Sequence, residues 1–153
     1  MSQTQAFNNI VEKANRSFYA LKTLHAHGLD GQALWDVTRA TLVAQLLYAS
    51  PAWWGFLKAD DKSRLQSLLT KAQRYGYLPC KFDTLDTLCE SLDQTLFHST
   101  MYNTKHVLHQ LLPPPKETGY NLRHRSHSLT IPSGVTNTMK QNFINRKLFY
   151  DIY

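Results

Sequence analysis

Residues 16–57 read RSFYALKTLHAHGLDGQALWDVTRATLVAQLLYASPAWWGFL, and the spacing of their apolar positions decides the fold. Phe18, Leu21 and Leu24 extend a stripe that begins at Ile10 and Ala14, in steps of three and four residues. That period places them on one face of a helix predicted over about 6–26, with Glu12, Lys13, Arg16 and Lys22 on the other faces. Gly28 ends it, as a residue suited to the left-handed conformation that commonly closes a helix. A second helix starts at Asp30 or Gly31 and runs to about Ala49. Its run Leu42, Val43, Ala44, Leu46, Leu47, Tyr48 is apolar nearly all round, the pattern of a central helix contacted on several sides. Ser50-Pro51 breaks or kinks it, and Ala52, Trp53, Trp54, Phe56 and Leu57 form a short aromatic segment.

Outward from this stretch the reading stays helical. Asp60 is expected to cap a third helix with the stripe Leu65, Leu68, Leu69, Ala72 and Tyr75 at its end, stopped by Gly76 and Pro79. Thr84 is expected to cap a single turn through Leu88. A fourth long helix is predicted over about 91–111, carrying Leu92, Leu96, Phe97, Thr100, Val107, Leu108 and Leu111. Pro113-Pro114-Pro115 is expected to end the globular part, because neither a helix nor a central strand accepts three prolines. The remainder is punctuated by Gly119, Asn121, Pro132, Gly134 and Asn137 and reads as loop, until apolar density returns from Asn142 and suggests a short helix docking back. The fold class is therefore all-α: three to four main helices over 1–112, then a mostly irregular basic tail over 113–153.

The chain has 153 residues, enough for one domain with a tail, and its hydrophobic fraction of 42% is that of a folded protein. Charge is uneven. Residues 1–112 hold 11 Lys/Arg against 9 Asp/Glu, whereas 113–153 hold 6 against 2. Such an excess favours polyanions, nucleic acid first among them, although a merely soluble basic surface has the same count. Cys80 and Cys89 make no disulfide framework, the start MSQTQAFNNI lacks the features of a secretory leader, and no apolar run suits a bilayer. The expected setting is intracellular, cytoplasmic or nuclear, without a membrane.

Few residues suggest chemistry. Asp60-Asp61 is the only adjacent carboxylate pair, and at a helix start it satisfies free amides and the helix dipole. Polymerase chemistry would need carboxylates converging on two magnesium ions, so no catalytic residue is assigned. His25 and His27 point in different directions on a helix. His106 and His109 share a face, but a zinc ion would need two more ligands, and Cys80 and Cys89 lack the short knuckle spacing. No metal or other cofactor is expected. Trp53 and Trp54 read as core at a helix junction, with at least one buried, ahead of the alternative of a base-stacking platform. In the tail, Arg123, His124, Arg125 and His127 alternate with small polar residues, and Arg146-Lys147 lies between Phe143 and Phe149. Both suit phosphate contacts, and both also suit a solvated linker with an anchored end.

FYALKTL at 18–24, YASPAWWG at 48–55, HVLHQLLPP at 106–114 and the terminal NFINRKLFYDIY together resemble the segment downstream of the active site in reverse transcriptases of non-LTR, jockey-like retrotransposons. The aromatic-x-Asp-Asp hairpin of those polymerases is missing here, since Lys58-Ala59 precedes Asp60-Asp61. By this resemblance the chain corresponds to the thumb and post-thumb region, which grips an RNA or RNA–DNA template–primer duplex for a palm domain located elsewhere. The resemblance makes Lys13, Arg16, Lys22 and Arg39 on the first two helices candidate duplex contacts, beside Arg123, Arg125, Arg146 and Lys147 in the tail. The competing expectations are a helical protein-interaction module and a translated transposon remnant without function.

Overall fold

A computed structural model describes residues 3–116 and 127–150. The fold is all-α. The chain divides into two compact units: Met1–Ser50 with Leu57–Cys89, and Pro51–Phe56 with Glu90–Tyr153. The sequence suggests a division at residue 112 instead. The difference arises because residues beyond the prolines pack with Glu90–Leu112, as described below.

In the first unit α1 (Gln3–Ala26) buries Phe7, Ala14, Phe18 and Leu21. It closes at Gly28, whose φ is +92°, with Leu29 N–H donating to the Leu24 carbonyl. This is the glycine-dependent closure foreseen from the sequence. α2 (Gly31–Thr38) passes through a π turn (Arg39–Val43) into α3 (Ala44–Leu47). Leu34, Thr38, Leu42 and Leu46 are all at most 1% exposed. A four-residue step advances about 400° on an α-helix, so three such steps would drift the row about 120° off its face. The wider π turn absorbs that drift and keeps all four inward. The Thr38 and Thr41 hydroxyls donate to the Leu34 and Val37 carbonyls at 2.8 and 2.7 Å, which satisfies the buried threonine beside the turn. The helix is not contacted on all sides as the apolar run suggests: Ala44 is exposed and Tyr48 is 80% exposed. The break falls at Ala49, held at φ +52°, immediately before Ser50-Pro51.

α5 (Ala59–Arg74) follows α4 (Ser50–Trp53) and a 3-10 turn (Trp54–Phe56). Lys58, not Asp60, occupies the extended cap position; Asp60 and Asp61 lie inside the first turn, where they favour the dipole without capping an amide. Leu65, Leu69 and Ala72 are buried, and α1 packs against both α2 and α5. Gly76, at φ +76°, closes α5 as Gly28 closes α1, with Tyr77 N–H donating to the Ala72 carbonyl.

α6 (Leu85–Tyr102) is one continuous helix where a short turn and a separate longer helix were expected. Nothing between Leu88 and Ser91 breaks it, and its buried row is Leu85, Cys89, Asp93, Phe97 and Thr100. Thr84 caps the whole helix through its hydroxyl to Thr87 N–H. The helix ends at Tyr102, short of the expected 111; Asn103 turns the chain by accepting Lys105 N–H, and a 3-10 turn (His109–Leu111) follows.

In the second unit Trp54 is buried, and Phe97, Phe143 and Leu148 form a small core flanked by Leu96, Leu108, Leu112, Leu129 and Ile144. The three prolines do not end it. Thr130 N–H donates to the Pro114 carbonyl and Lys116 N–H to the Ser128 carbonyl, because proline loses its donor but keeps its acceptor. α7 (Asn137–Lys140) is capped by Thr136 and α8 (Phe143–Leu148) by Asn142. Phe143 meets Phe97 edge-on at 6.4 Å, so the expected docking of the last helix is observed. Among the described residues no helix is long and apolar enough to cross a membrane.

Candidate nucleic-acid interface

The side of α5 opposite Leu65, Leu69 and Ala72 borders an open groove of about 790 Å³, lined by Lys62, Ser63, Ser67, Thr70, Lys71, Arg74 and Tyr75, with Ala59, Gln66 and Asp86 completing it. Local chemistry fixes this face. Gln66 accepts Leu85 N–H at 2.8 Å, tying the start of α6 to α5. Gln73 Nε2 donates to the carbonyls of Pro79, Cys80 and Phe82 at 3.3–3.4 Å, and Trp35 Nε1 donates to the Gly76 carbonyl at 3.1 Å. The helix and the loop that leaves it are thus held together by side-chain amides and an indole.

The electrostatics are one-sided. From Lys62 to Phe82 the sequence contains Lys62, Arg64, Lys71, Arg74 and Lys81 and no Asp or Glu. Asp86 is the one carboxylate lining the groove, 3.9 Å from Lys62 Nζ at one end. Arg64 lies 3.6 Å from Asp61, and its guanidinium sits 5.2 Å over the Phe7 ring. The ammonium of Lys71 sits 4.6 Å over Phe18. Ser67 and Thr70 donate to the Arg64 and Gln66 carbonyls, so the bases are the principal donors along the groove.

Beyond the groove an aromatic cluster closes the C-terminal end of α5. Tyr75 stacks on Tyr77 at 5.8 Å and 25°, and both approach Phe18. Tyr77 is 3% exposed, and burial, with Tyr75 beside it, raises its hydroxyl above the ordinary value of 10.0.

The residues picked from the sequence are placed differently. Lys13, Arg16 and Lys22 are exposed on α1. Nine residues at 100° each put Lys13 and Lys22 on opposite flanks of the buried stripe, so they form no single row. Arg16 pairs with Glu12. Arg39 is exposed at the π turn, its guanidinium 5.7 Å from the Phe82 ring. None of these four lines the groove. Arg123 and Arg125, with His124, lie outside the described residues.

Arg146 and Lys147 face inward and not toward solvent. Arg146 donates through Nε and Nη2 to Asp93 Oδ2 at 3.1 and 2.6 Å, through Nη1 to the Gln141 carbonyl, and through Nη2 to the Pro51 carbonyl. Lys147 is 4% exposed and pairs with Glu90. The reason is Asp93: at 1% exposure in the middle of the α6 row it requires a cation, and α8 supplies one. Gly55 is where this guanidinium passes; a Cβ there would lie 2.1 Å from Arg146 Nη1. The basic pair expected to contact phosphate is therefore part of the second unit's interior.

His106, His109 and His127 are tied to the backbone. His109 Nδ1 lies 2.8 Å from the Thr100 carbonyl, His106 Nδ1 accepts Leu108 N–H, and buried His127 bridges Leu129 N–H and the Leu148 carbonyl. Among the described residues no group of three His, Cys, Asp or Glu is placed to hold a metal ion. Sequence reasoning missed Lys62, Lys71 and Arg74. The available signal was the carboxylate-free run from Lys62 to Phe82. Comparison with protein-family models, curated proteins and solved structures finds no match.

Proposed function

We propose that this chain grips an RNA or RNA–DNA template–primer duplex through its phosphates, as the non-catalytic C-terminal region of a non-LTR retrotransposon RNA-directed DNA polymerase. The supporting observation is the α5 groove, bordered by Lys62 on one flank and by Lys71 and Arg74 on the other, in a sequence run free of carboxylates. Lys and Arg along one groove favour a polyanion, and contacts to phosphate carry no base preference. The family-like segments at 18–24, 48–55, 106–114 and 142–153 point to the same substrate. The reaction itself belongs to a palm domain supplied elsewhere.

Three phosphates neutralised by these bases correspond to a salt slope of about −2.7. A fourfold rise in salt, from about 50 to 200 mM, then lowers affinity for a hybrid hairpin roughly 40-fold. Fluorescence anisotropy with a labelled RNA–DNA hairpin measures this. Binding that is absent or unmoved by salt would sink the proposal in favour of a protein-docking module. Nucleotide incorporation by the purified chain would overturn its non-catalytic part.

A further inference from the structure

We infer that Tyr75 is a stacking seat for an unpaired base at the C-terminal end of the α5 groove, so that the chain prefers a duplex running out into a single strand. The inference rests on the phosphate-grip reading and adds to it the kind of nucleic acid held. Tyr75 lines the groove next to Lys71 and Arg74, and the residue is 53% exposed. It is also held in place. Tyr77 backs it in a stacked arrangement, and Phe18 meets it edge-on at 5.8 Å and 72°. Those two supporting residues are only 3% and 9% exposed. The backbone beneath is fixed as well: Tyr75 N–H donates to the Lys71 carbonyl, and Trp35 holds the carbonyl of Gly76.

A base stacks well on an aromatic surface that is exposed, pre-positioned and close to a cation that can take the adjoining phosphate. Tyr75 meets all three conditions, with Arg74 as its chain neighbour and Lys71 one turn earlier. From Lys62 to Tyr75, α5 rises about 20 Å, the axial rise of about six nucleotides. A phosphate held by Lys71 or Arg74 lies within one turn of the tyrosine, and a base enclosed between its neighbours inside a duplex cannot turn its face onto the ring. A uniformly basic groove without an aromatic end would hold a blunt duplex equally well.

The test compares two labelled RNA–DNA hairpins, one blunt and one with a short unpaired pyrimidine extension, on the full chain. The expected result is tighter binding of the extended hairpin. Tyr75→Ala lowers affinity for it about 5- to 100-fold, a larger loss than for the blunt hairpin, and Tyr75→Phe restores the difference. An abasic extension read on the unaltered chain gives the same answer without a substitution: it binds like the blunt hairpin. Equal binding of blunt, extended and abasic probes, with Lys71→Gln weakening all three, overturns the stacking seat while the phosphate grip stands. No binding of any probe at low salt overturns both, as does competition by polyglutamate as strong as that by the hairpins.

Discussion

On α5, Arg74 points away from the buried row of Leu65, Leu69 and Ala72 and Lys71 lies at its flank over Phe18, both bordering a groove with a single carboxylate at its rim. On α8, Arg146 and Lys147 point into the second unit, onto Asp93 and Glu90. The residue types are identical and the sequence densities similar. What separates them is phase: whether the base falls opposite the apolar positions of its own helix, and whether a buried acid waits on another. Net charge sees neither. A basic stretch is a surface only after its internal partners have been subtracted.

Removing one base from each helix is the sharpest way to break that contrast. Arg146→Ala leaves the carboxylate of Asp93 buried without its cation and is expected to cost about 3–5 kcal/mol in urea unfolding. Arg74→Ala, on an exposed helix face, should stay within about 0.5 kcal/mol. Equal losses from the two substitutions would erase the distinction. Gly55→Ala probes the clasp without touching a charge. Its Cβ would stand 2.2 Å from the Gln141 carbonyl oxygen as well as against Arg146, so either the guanidinium or the backbone must shift. The expected loss is about 1–3 kcal/mol, less than for Arg146→Ala because the ion pair can re-form. The smallest effect concerns Tyr77 behind the groove. Its raised pKa means that the folded chain holds the phenolic proton more tightly than the unfolded chain does. That contribution is complete below about pH 10 and is lost as pH rises through the folded value. Melting temperature should therefore fall as pH rises above about 10, and Tyr77→Phe should flatten the fall. An unchanged profile in that variant would remove burial as the cause.

Much of the fold was legible because local rules agreed with one another. The α1 stripe, the glycine closures at Gly28 and Gly76, and the docking of Phe143 each follow from spacing and a single punctuating residue. Two features were not. Asp93 occupies a buried phase of α6 where the pattern of apolar residues gives no reason for a charge; its explanation lies 53 residues away in Arg146. Three consecutive prolines suggest a terminus because neither a helix nor a central strand accepts them, yet the Pro114 carbonyl accepts from Thr130 N–H. The candidate groove escaped notice for another reason. Attention went to where Lys and Arg occur and not to where Asp and Glu are missing, and only the second pattern marks α5.

The π turn at Arg39–Val43 has a bearing on how this chain can vary in length. A segment wound more loosely than its neighbours already contains a surplus residue relative to a straight rod. Losing one residue there would shorten the rod while Leu34 and Leu46 kept their common direction. The same deletion within α1 or α5 would turn everything downstream through a quarter revolution or more. Among these helices, a one-residue deletion is therefore absorbed best inside a helix, at the π turn.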